Sequence, residues 1–278
     1  MKYLFYNPKS NNGNSINTFI DNYTTSELIK INILGNEYYE TLNSLTKDDT
    51  VILVGGDGTL NHFVNDVKDL DIQAKIYFKT AGTGNDFYND IKNENHGELV
   101  EINKYIKSLP KVIINGKETL FVNGIGFGID GYCCEEGDRL QAKSDKPVNY
   151  SLIAIKGLLF KYRRPNGTVT VDGVTKKYKG IWLAPTMKGK YYGGGMMIAP
   201  EQNRLDEENY LTNVIWSKSG KLKTLMIFPS VFKGEHVKYN KYLKFQKCHH
   251  VIVEFDRPTA LQIDGETVSG VTKYEVIA

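Results

Sequence analysis

A single carboxylate stands inside a glycine-rich turn that directly follows a short apolar run. The turn spans residues 55–61, Gly-Gly-Asp-Gly-Thr-Leu-Asn, and carries Asp57, while the apolar run before it is residues 51–54. Glycines let the backbone direct its N–H groups toward an anion, and a helix N-terminus behind them favours negative charge. Because a carboxylate would repel a bare phosphate, Asp57 predicts a Mg²⁺ ion between itself and the phosphates. This pattern is typical of a nucleotide-dependent phosphotransferase.

A second turn of the same kind follows the apolar run 76–78. It is Gly-Thr-Gly-Asn-Asp-Phe, residues 82–87. We expect Thr83 and the turn amides to lie beside the nucleotide, and Asp86 to be a second acidic group near the metal. The alternative is that Asn85 and Asp86 simply cap the next helix, since both residue types do this well.

A third segment, Asn-Pro-Lys-Ser at residues 7–10, follows the first apolar run and precedes a predicted helix. Its amides and side chains are candidates for binding phosphate or ribose, although an ordinary strand-to-helix loop is favoured when the segment is taken alone. The predicted nucleotide-binding residues are Asn7, Ser10, Gly55, Gly56, Gly58, Thr59, Asn61, Gly82 and Thr83. Since Asp57 sits in a turn and not in a core, we expect its removal to leave the fold intact.

The elements that must position these turns fall into two predicted domains, residues 1–112 and 113–278. In the first, predicted strands alternate with predicted helices, which indicates an α/β domain with a parallel sheet and ligands beyond the carboxyl ends of the strands. The strands are predicted at 3–6, 28–34, 50–54 and 75–78, and the helices at 14–23, 37–45, 59–67 and 97–108. Both glycine turns fall at strand ends.

The second predicted domain is β-rich and antiparallel, because its runs are short, β-branched and aromatic. Its strands are predicted at 168–171, 178–183, 211–216, 250–255 and 260–263, and its helices at 131–143, 148–161 and 221–233. Asp172-Gly173 is predicted to form a hairpin turn. Residues 126–131 fit Gly-x-Gly-x-x-Gly, but an Asp inside the turn argues against a dinucleotide site. We expect the active site in the cleft between the domains.

The ordered motifs resemble those of the diacylglycerol kinase catalytic family, which includes bacterial soluble lipid kinases and sphingosine kinases and is distantly related to NAD kinases. Beyond the three N-terminal segments, the matching motifs are residues 121–123, 128–130, 192–196, 199–200 and 264–266. The resemblance implies transfer of the γ-phosphate of ATP, with Mg²⁺, to a lipid hydroxyl, with diacylglycerol as the first acceptor to consider. An NAD kinase and a catalytically silent nucleotide or lipid sensor are the alternatives.

The resemblance also implies roles for individual residues. Glu266 of the late Asp-Gly-Glu would be the general base, although that tripeptide alone is typical of a hairpin turn. Asp130 would be an active-site carboxylate near the metal, with a helix cap as its alternative. The implied catalytic residues are Glu266, Asp57 and Asp130, and the implied metal-binding residues are Asp57, Asp86 and Asp130. Residues 191–200 would supply an apolar acceptor pocket in which three glycines permit close approach.

Three positions depart from the family pattern. Asn11 stands where the family has glycine, and His62 stands where it has Glu. Residues 205–211 replace an Asp-Asp-Gly-x-Leu loop that holds a structural Mg²⁺ in some members, with Asn209 at the glycine position. A second metal and a plain solvated acidic turn both stay open there.

Composition narrows the class of protein. The chain has 278 residues with 35 basic and 32 acidic side chains, which argues against a dedicated nucleic-acid binder. Its three cysteines suggest no disulfide framework. We expect neither a signal peptide nor a transmembrane segment. The expected protein is cytoplasmic and makes peripheral contact with the membrane that carries its lipid acceptor. Residues 148–161 predict either an amphipathic helix on an anionic bilayer or a helix packed in the core. The choice between a monomer and a homodimer stays open.

Overall fold

The structure is a computed structural model that describes residues 1–10, 28–82, 84–94, 97, 99–143 and 148–278. The chain divides into two compact units, unit 1 at Met1–Leu109 and unit 2 at Pro110–Ala278. The predicted helix at 14–23, the departure at Asn11 and the candidate Thr83 lie outside the described residues.

Unit 1 is built on one five-stranded sheet with the order β2-β1-β3-β4-β5. Its strands are β1 (Lys2–Tyr6), β2 (Ile29–Asn32), β3 (Thr50–Gly55), β4 (Lys75–Thr80) and β5 (Val100–Glu101). The first four strands pair in parallel, and β5 pairs antiparallel with β4. Consecutive residues of the central strands, Leu4 and Phe5 of β1 and Leu53 and Val54 of β3, are fully buried, as expected for strands covered on both faces. The predicted parallel α/β sheet is confirmed.

The described helices of unit 1 follow its strands. They are α1 (Asn36–Ser44), α2 (Asp57–Asp66), α3 (Asp86–Ile91) and α4 (Asn103–Ile106). The predicted helix at 97–108 is wrong in its first half, because Val100 and Glu101 extend the sheet as an edge strand. The side chain of Asn103 accepts a hydrogen bond from the Ile76 N–H at 2.8 Å and donates one to the Ala74 carbonyl at 2.9 Å. These bonds tie the start of α4 to β4.

Unit 2 is built on ten antiparallel strands. They are β6 (Lys111–Ile114), β7 (Lys117–Leu120), β8 (Gly124–Gly128), β9 (Gly167–Val171), β10 (Val174–Tyr178), β11 (Leu183–Met187), β12 (Leu211–Trp216), β13 (Leu243–Cys248), β14 (His250–Ile263) and β15 (Glu266–Ile277). Eight run in the order β13-β12-β11-β8-β14-β15-β6-β7, and β9 joins β14 while carrying β10. The predicted antiparallel β-rich architecture is confirmed.

Three helical segments pack on this sheet. They are α5 (Ile129–Gln141), α6 (Tyr150–Lys156) with a π-helical continuation at Gly157–Lys161, and α7 (Lys221–Ile227) with a 3₁₀ continuation at Phe228–Lys233. A second 3₁₀ turn follows at Glu235–Lys238. Their apolar faces form one cluster with Trp182 and Trp216, while a separate cluster surrounds Phe127 and Tyr274.

Local turns explain where strand predictions hold and fail. The Asp172-Gly173 hairpin is confirmed, since both residues have positive φ, 45° and 83°, between the paired residues Val171 and Val174. The predicted strand at 178–183 is wrong, because β10 ends at Tyr178 and β11 begins at Leu183. Gly180, with φ of 61°, turns the chain between them.

Candidate functional site

The two glycine turns of unit 1 lie against each other. The first connects β3 to α2 and the second connects β4 to α3, and these two strands are parallel neighbours. A Cβ atom added at Gly82 would lie 2.8 Å from the Cα of Gly56, and one added at Gly55 would overlap the side chain of Thr59. Glycine at 55 and 82 is therefore required by close packing of the turns.

Asp57 joins the two turns through its carboxylate. Its Oδ2 accepts a hydrogen bond from the Asp86 N–H at 3.0 Å, and its Oδ1 accepts one from the Phe87 N–H at 2.9 Å. Asp57 thus caps α3 from outside that helix. Asn85, which directly precedes α3, has φ of 52° and makes no side-chain cap. Asp57 therefore also holds the second turn, a contact that the expectation of an intact fold without Asp57 did not consider.

The N-terminus of α2 faces the first loop of the chain. Gly56 precedes α2 and supplies no side-chain cap, which leaves the first-turn amides suited to an anion. The Asn7 side chain donates to Thr59 Oγ1 at 3.4 Å, and its own Oδ1 accepts the Lys9 N–H at 2.9 Å. Ser10 N–H donates to the Asn7 carbonyl at 3.1 Å. The structure thus brings the candidates Asn7, Ser10 and Thr59 to one edge of the sheet.

Two further positions on α2 are occupied by contacts within the helix. Asn61 accepts a hydrogen bond from the Asn65 side chain at its carbonyl, 2.9 Å away. His62 Nδ1 lies 2.7 Å from Asp66 Oδ2, which also accepts the Tyr38 hydroxyl at 3.0 Å. His62, which departs from the family pattern, is therefore paired with Asp66, one turn along α2.

The described carboxylates of unit 1 do not form a metal site by themselves. Asp86 is buried in the first turn of α3, and both Asp57 oxygens already accept backbone N–H groups. Across the part of the chain that the structure describes, no three His, Cys, Asp or Glu side chains are grouped closely enough to hold a metal. Mg²⁺ in phosphoryl-transfer sites takes only one or two carboxylates and otherwise binds phosphates and waters. These residues fit an ion that arrives with the nucleotide.

Asp130 is the buried carboxyl group of unit 2. It lies in the first turn of α5 above Gly126 of β8, where an added Cβ would lie 2.9 Å from Asp130 Oδ2. Burial raises the pKa of Asp130 to about 6, and the nearby Gly131 amide, Tyr192 hydroxyl and Gln262 amide only partly offset it. Within the described ranges neither Asp130 oxygen meets a hydrogen-bond partner at normal geometry, so it does not cap α5.

The side chains around Asp130 also lack hydrogen bonds of normal geometry among the described residues. The Tyr192 hydroxyl and the Gln262 Nε2 are buried beside Asp130 and interact with its carboxyl, but among the described residues neither makes a hydrogen bond of normal geometry. Burial, followed by the charge at Asp130, raises the pKa of Tyr192 well above its usual value. Buried polar groups normally find partners, so this cluster is suited to receive water, a cation or a polar ligand atom. Tyr192 opens the matching motif 192–196, but no role was predicted for its hydroxyl. Gln262 was not predicted from the sequence, because nothing local marks it.

Glu266 begins β15 and is exposed at a tight hairpin. Asp264 and Gly265 form the turn, with φ of 48° and 94°. The Asp264 carboxylate accepts N–H groups from Val122 at 2.5 Å, from Asn123 at 2.7 Å and from Gly124 at 2.9 Å. The local prediction of a hairpin is confirmed. The anchoring role of Asp264 is new, since only the folded chain brings residues 122–124 to it.

Buried basic side chains support this region. Arg204 donates to the Val122 carbonyl and to Asn123 Oδ1, each at 2.5 Å. The buried Lys188 donates to Asn209 Oδ1, and burial lowers the pKa of this lysine to about 8. Asn209 has φ of 57°, the left-handed conformation that its place in the loop requires. An ammonium group of the protein itself thus contacts the loop for which a second metal was considered.

The backbone conformation accounts for the three glycines in residues 191–200, the proposed acceptor segment. Gly193, Gly194 and Gly195 have φ of 61°, 80° and 104°. A Cβ added at Gly194 or Gly195 would meet no described atom within 4 Å. Positive φ therefore explains why the last two positions are glycine, and the approach of a substrate to them stays a prediction.

Comparisons with known proteins match both units. Residues 2–117 match the family model of the diacylglycerol kinase catalytic domain, and residues 123–276 match that of the YegS C-terminal NAD kinase beta sandwich-like domain. A diacylglycerol kinase of Staphylococcus carnosus is 26% identical over 241 residues, 84% of this chain and 75% of the relative. A diacylglycerol kinase of Mycobacterium tuberculosis is 26% identical over 201 residues, 69% of this chain and only 63% of the relative.

A solved structure, a diacylglycerol kinase from Bacillus anthracis str. Sterne, has a TM-score of 0.62. It is 20% identical in sequence, and the likeness covers 99% of this chain and 93% of that one. At this identity the likeness concerns the fold. No described helix is long and apolar enough to cross a membrane.

Proposed function

We propose that this chain, which belongs to the diacylglycerol kinase catalytic family and is a phosphotransferase acting on a lipid alcohol, transfers the γ-phosphate of ATP, with Mg²⁺, to the hydroxyl of diacylglycerol. Binding of the nucleotide is supported by one observation: the two glycine turns pack against each other at the N-terminus of α2, which has no side-chain cap. Such a terminus favours phosphate through its free amides and its dipole.

The nucleotide is held by unit 1. The amides at Gly56, Gly58 and Thr59 bind phosphate oxygens, and Asn7 and Ser10 contact phosphate or ribose. Asp57 holds the second turn in place through its bonds to the α3 amides. Asp57 and Asp86 are the carboxylates of unit 1 that would hold Mg²⁺, directly or through water, and the ion would supply neutralisation of the phosphate charge.

The acceptor is handled by unit 2. Glu266 removes the proton of the lipid hydroxyl, a contribution of typically about 10²–10⁴-fold in rate. The Asp264 bonds to residues 122–124 fix the hairpin that carries this base. Asp130 is an ionisable carboxyl in a cluster with unmet hydrogen bonds, so it can receive a cation or water during transfer. Most of the remaining acceleration comes from positioning and charge neutralisation.

The test is transfer of radiolabelled γ-phosphate to defined acceptors. Diacylglycerol, monoacylglycerol, sphingosine and NAD are supplied separately with ATP and Mg²⁺, and total lipid extract serves as an open screen. We expect label in phosphatidic acid, its loss with a chelator of Mg²⁺, and its loss in Glu266→Gln. Label in NADP would contradict the proposal and indicate an NAD kinase. No transfer to any acceptor while ATP still binds would also contradict it and indicate a catalytically silent sensor.

A further inference from the structure

Residues 203–210 immediately precede β12 and contain three consecutive carboxylates, so we call them the acidic loop. Asp206 is partly buried there, while Glu207 and Glu208 are exposed. Neighbouring like charges repel, so a cation beside them helps to hold such a loop in one conformation. The family resemblance implies a structural Mg²⁺ as one possible cation. A basic side chain of the protein itself is the other.

The acidic loop does not fit a structural Mg²⁺. Several of its oxygens already accept hydrogen bonds from the protein. Asp206 Oδ1 accepts the Glu208 N–H at 3.1 Å. The Glu208 carbonyl lies 2.7 Å from His249 Nε2, and the Tyr210 carbonyl accepts the Gln202 side-chain amide at 2.8 Å. Mg²⁺ demands a near-octahedral set of oxygens, and the described part of the chain contains no group of three His, Cys, Asp or Glu side chains that can hold a metal.

A lysine ammonium lies against the loop instead. Lys188 follows β11 directly and is buried, and its Nζ donates to Asn209 Oδ1. Burial, followed by the charge at Arg204, lowers the pKa of Lys188 to about 8, while the charge at Asp206 opposes this shift. Lys188 is therefore mainly an ammonium ion at neutral pH, and it lies near enough to Asp206 for their charges to interact.

The same lysine is tied through its backbone to the residues just before β8. The N–H groups of Lys188 and Gly189 donate to the Asn123 carbonyl at 2.9 and 3.0 Å. At the start of the acidic loop, the buried Arg204 donates to the Val122 carbonyl and to Asn123 Oδ1. The loop is thus fastened to the start of β8 near both of its ends, by Arg204 and by Lys188.

We infer that the Lys188 ammonium is the resident cation of the acidic loop, in place of a bound metal, and that Lys188 is a positioning residue for Glu266. The N–H groups of residues 122–124 donate to the carboxylate of Asp264, two residues before the base. Hydrogen bonds within unit 2 therefore lead from the loop, through Asn123, to the hairpin that carries Glu266. The second half of the inference rests on the proposed function, in which Glu266 is the base.

A buried ammonium costs the folded protein more free energy than an apolar side chain in the same place. The charge leaves water on burial and its contacts do not fully compensate, which is why the pKa of Lys188 lies below its usual value. Replacing a buried ionic group with an apolar side chain of similar size is often neutral or stabilising. We therefore expect Lys188→Met to melt no lower than the wild type while its acidic loop opens more often.

The experiment is limited proteolysis of the full chain with a Glu-specific protease, without ATP, in which mass spectrometry follows cleavage after Glu207 and Glu208. We expect the wild type to be cleaved at the same slow rate in a chelator and in millimolar Mg²⁺ or Ca²⁺. Lys188→Met should be cleaved about tenfold faster, because the loop loses a charge-assisted hydrogen bond, and added metal should not restore protection. Lys176→Met, at an exposed lysine of β10, is the matched control and should be cleaved as the wild type is.

Asn209→Asp tests the same contact in the opposite direction. It turns the acceptor of the Lys188 hydrogen bond into a carboxylate, and Asp also tolerates positive φ, so cleavage in chelator should be slower than in the wild type. Wild-type protection that rises with Mg²⁺ or Ca²⁺ and disappears in chelator would overturn the inference in favour of a metal. Equal cleavage of the wild type and Lys188→Met, or faster cleavage of Asn209→Asp, would remove the ammonium as the cation that holds the loop.

Single-turnover transfer and thermal melting test the positioning role. Rates are taken per ATP-binding molecule, so a loss of folded protein does not lower them. Lys188→Met should transfer phosphate about tenfold more slowly with unchanged ATP affinity, because Glu266 is less well placed. An unchanged rate with an opened loop would remove the positioning role, and a melting temperature well below that of the wild type would make Lys188 a general structural residue. If the wild type phosphorylates no lipid, the proposed function fails, whereas the proteolysis still decides which cation holds the loop.

Discussion

Replacing the buried Asp130 with Asn should stabilise unit 2 above pH 6 and have little effect near pH 4. Burial raises the pKa of Asp130 from 3.8 to about 6. The folded state therefore holds this proton more tightly than the unfolded state, and wild-type stability is lost as the pH rises from the unfolded value through the folded one. A shift of about two units corresponds to about 3 kcal/mol at 1.36 kcal/mol per unit.

The amide introduced by Asp130→Asn has no proton to lose in this pH range, so the variant avoids this loss. Its advantage in the free energy of unfolding should rise from less than about 1 kcal/mol at pH 4 to about 3 kcal/mol at pH 8. Urea unfolding at both pH values, followed by the fluorescence of the two tryptophans of unit 2, measures it. Asp138→Asn, at an exposed site on the same helix, is the control and should show no such gain. An advantage of Asp130→Asn that is the same at pH 4 and pH 8 would refute the reasoning.

The other predictions concern the glycine turns and the base. Asp57→Ala should abolish transfer and also destabilise unit 1 by about 1–2 kcal/mol, because α3 loses its cap; unchanged urea unfolding would contradict this. Glu266→Gln should lower kcat about 10²–10⁴-fold with unchanged ATP affinity, and weakened ATP binding in a titration with fast single-turnover transfer would remove it as the base. Gly82→Ala should cost about 1–3 kcal/mol through its clash with Gly56, whereas Gly220→Ala, with nothing within 4 Å, should melt as the wild type does.

Much of the fold could be predicted from patterns within short windows. Alternating strands and helices indicated the parallel sheet of unit 1, and Asp172-Gly173 indicated a hairpin because few residues adopt its positive φ. The predictions failed where contacts between residues far apart in the sequence determine the local structure. Val100 and Glu101 form a strand only because β4 offers an edge, and Asn103 starts its helix by bonding to that strand.

The candidate site divides in the same way. The glycine turns could be recognised because several glycines directly after an apolar strand are visible within a short window of sequence. The partners of the carboxylates could not be recognised, because they come from elsewhere in the chain. Asp57 caps a helix that begins 29 residues later, and Asp264 binds amides about 140 residues earlier.

The sequence by itself determined the two architectures, the order of the motifs and the candidate residues for binding phosphate, since these depend on residue type and spacing. Only the tertiary structure decided which carboxylates are already used by the backbone, which one is buried with a raised pKa, and which apolar side chains face water. Hydrogen bonding and desolvation depend on what surrounds a group in space. The exposed Phe160 and the buried Leu158 are two residues apart in one apolar run, and only packing against Trp182 and its neighbours tells them apart.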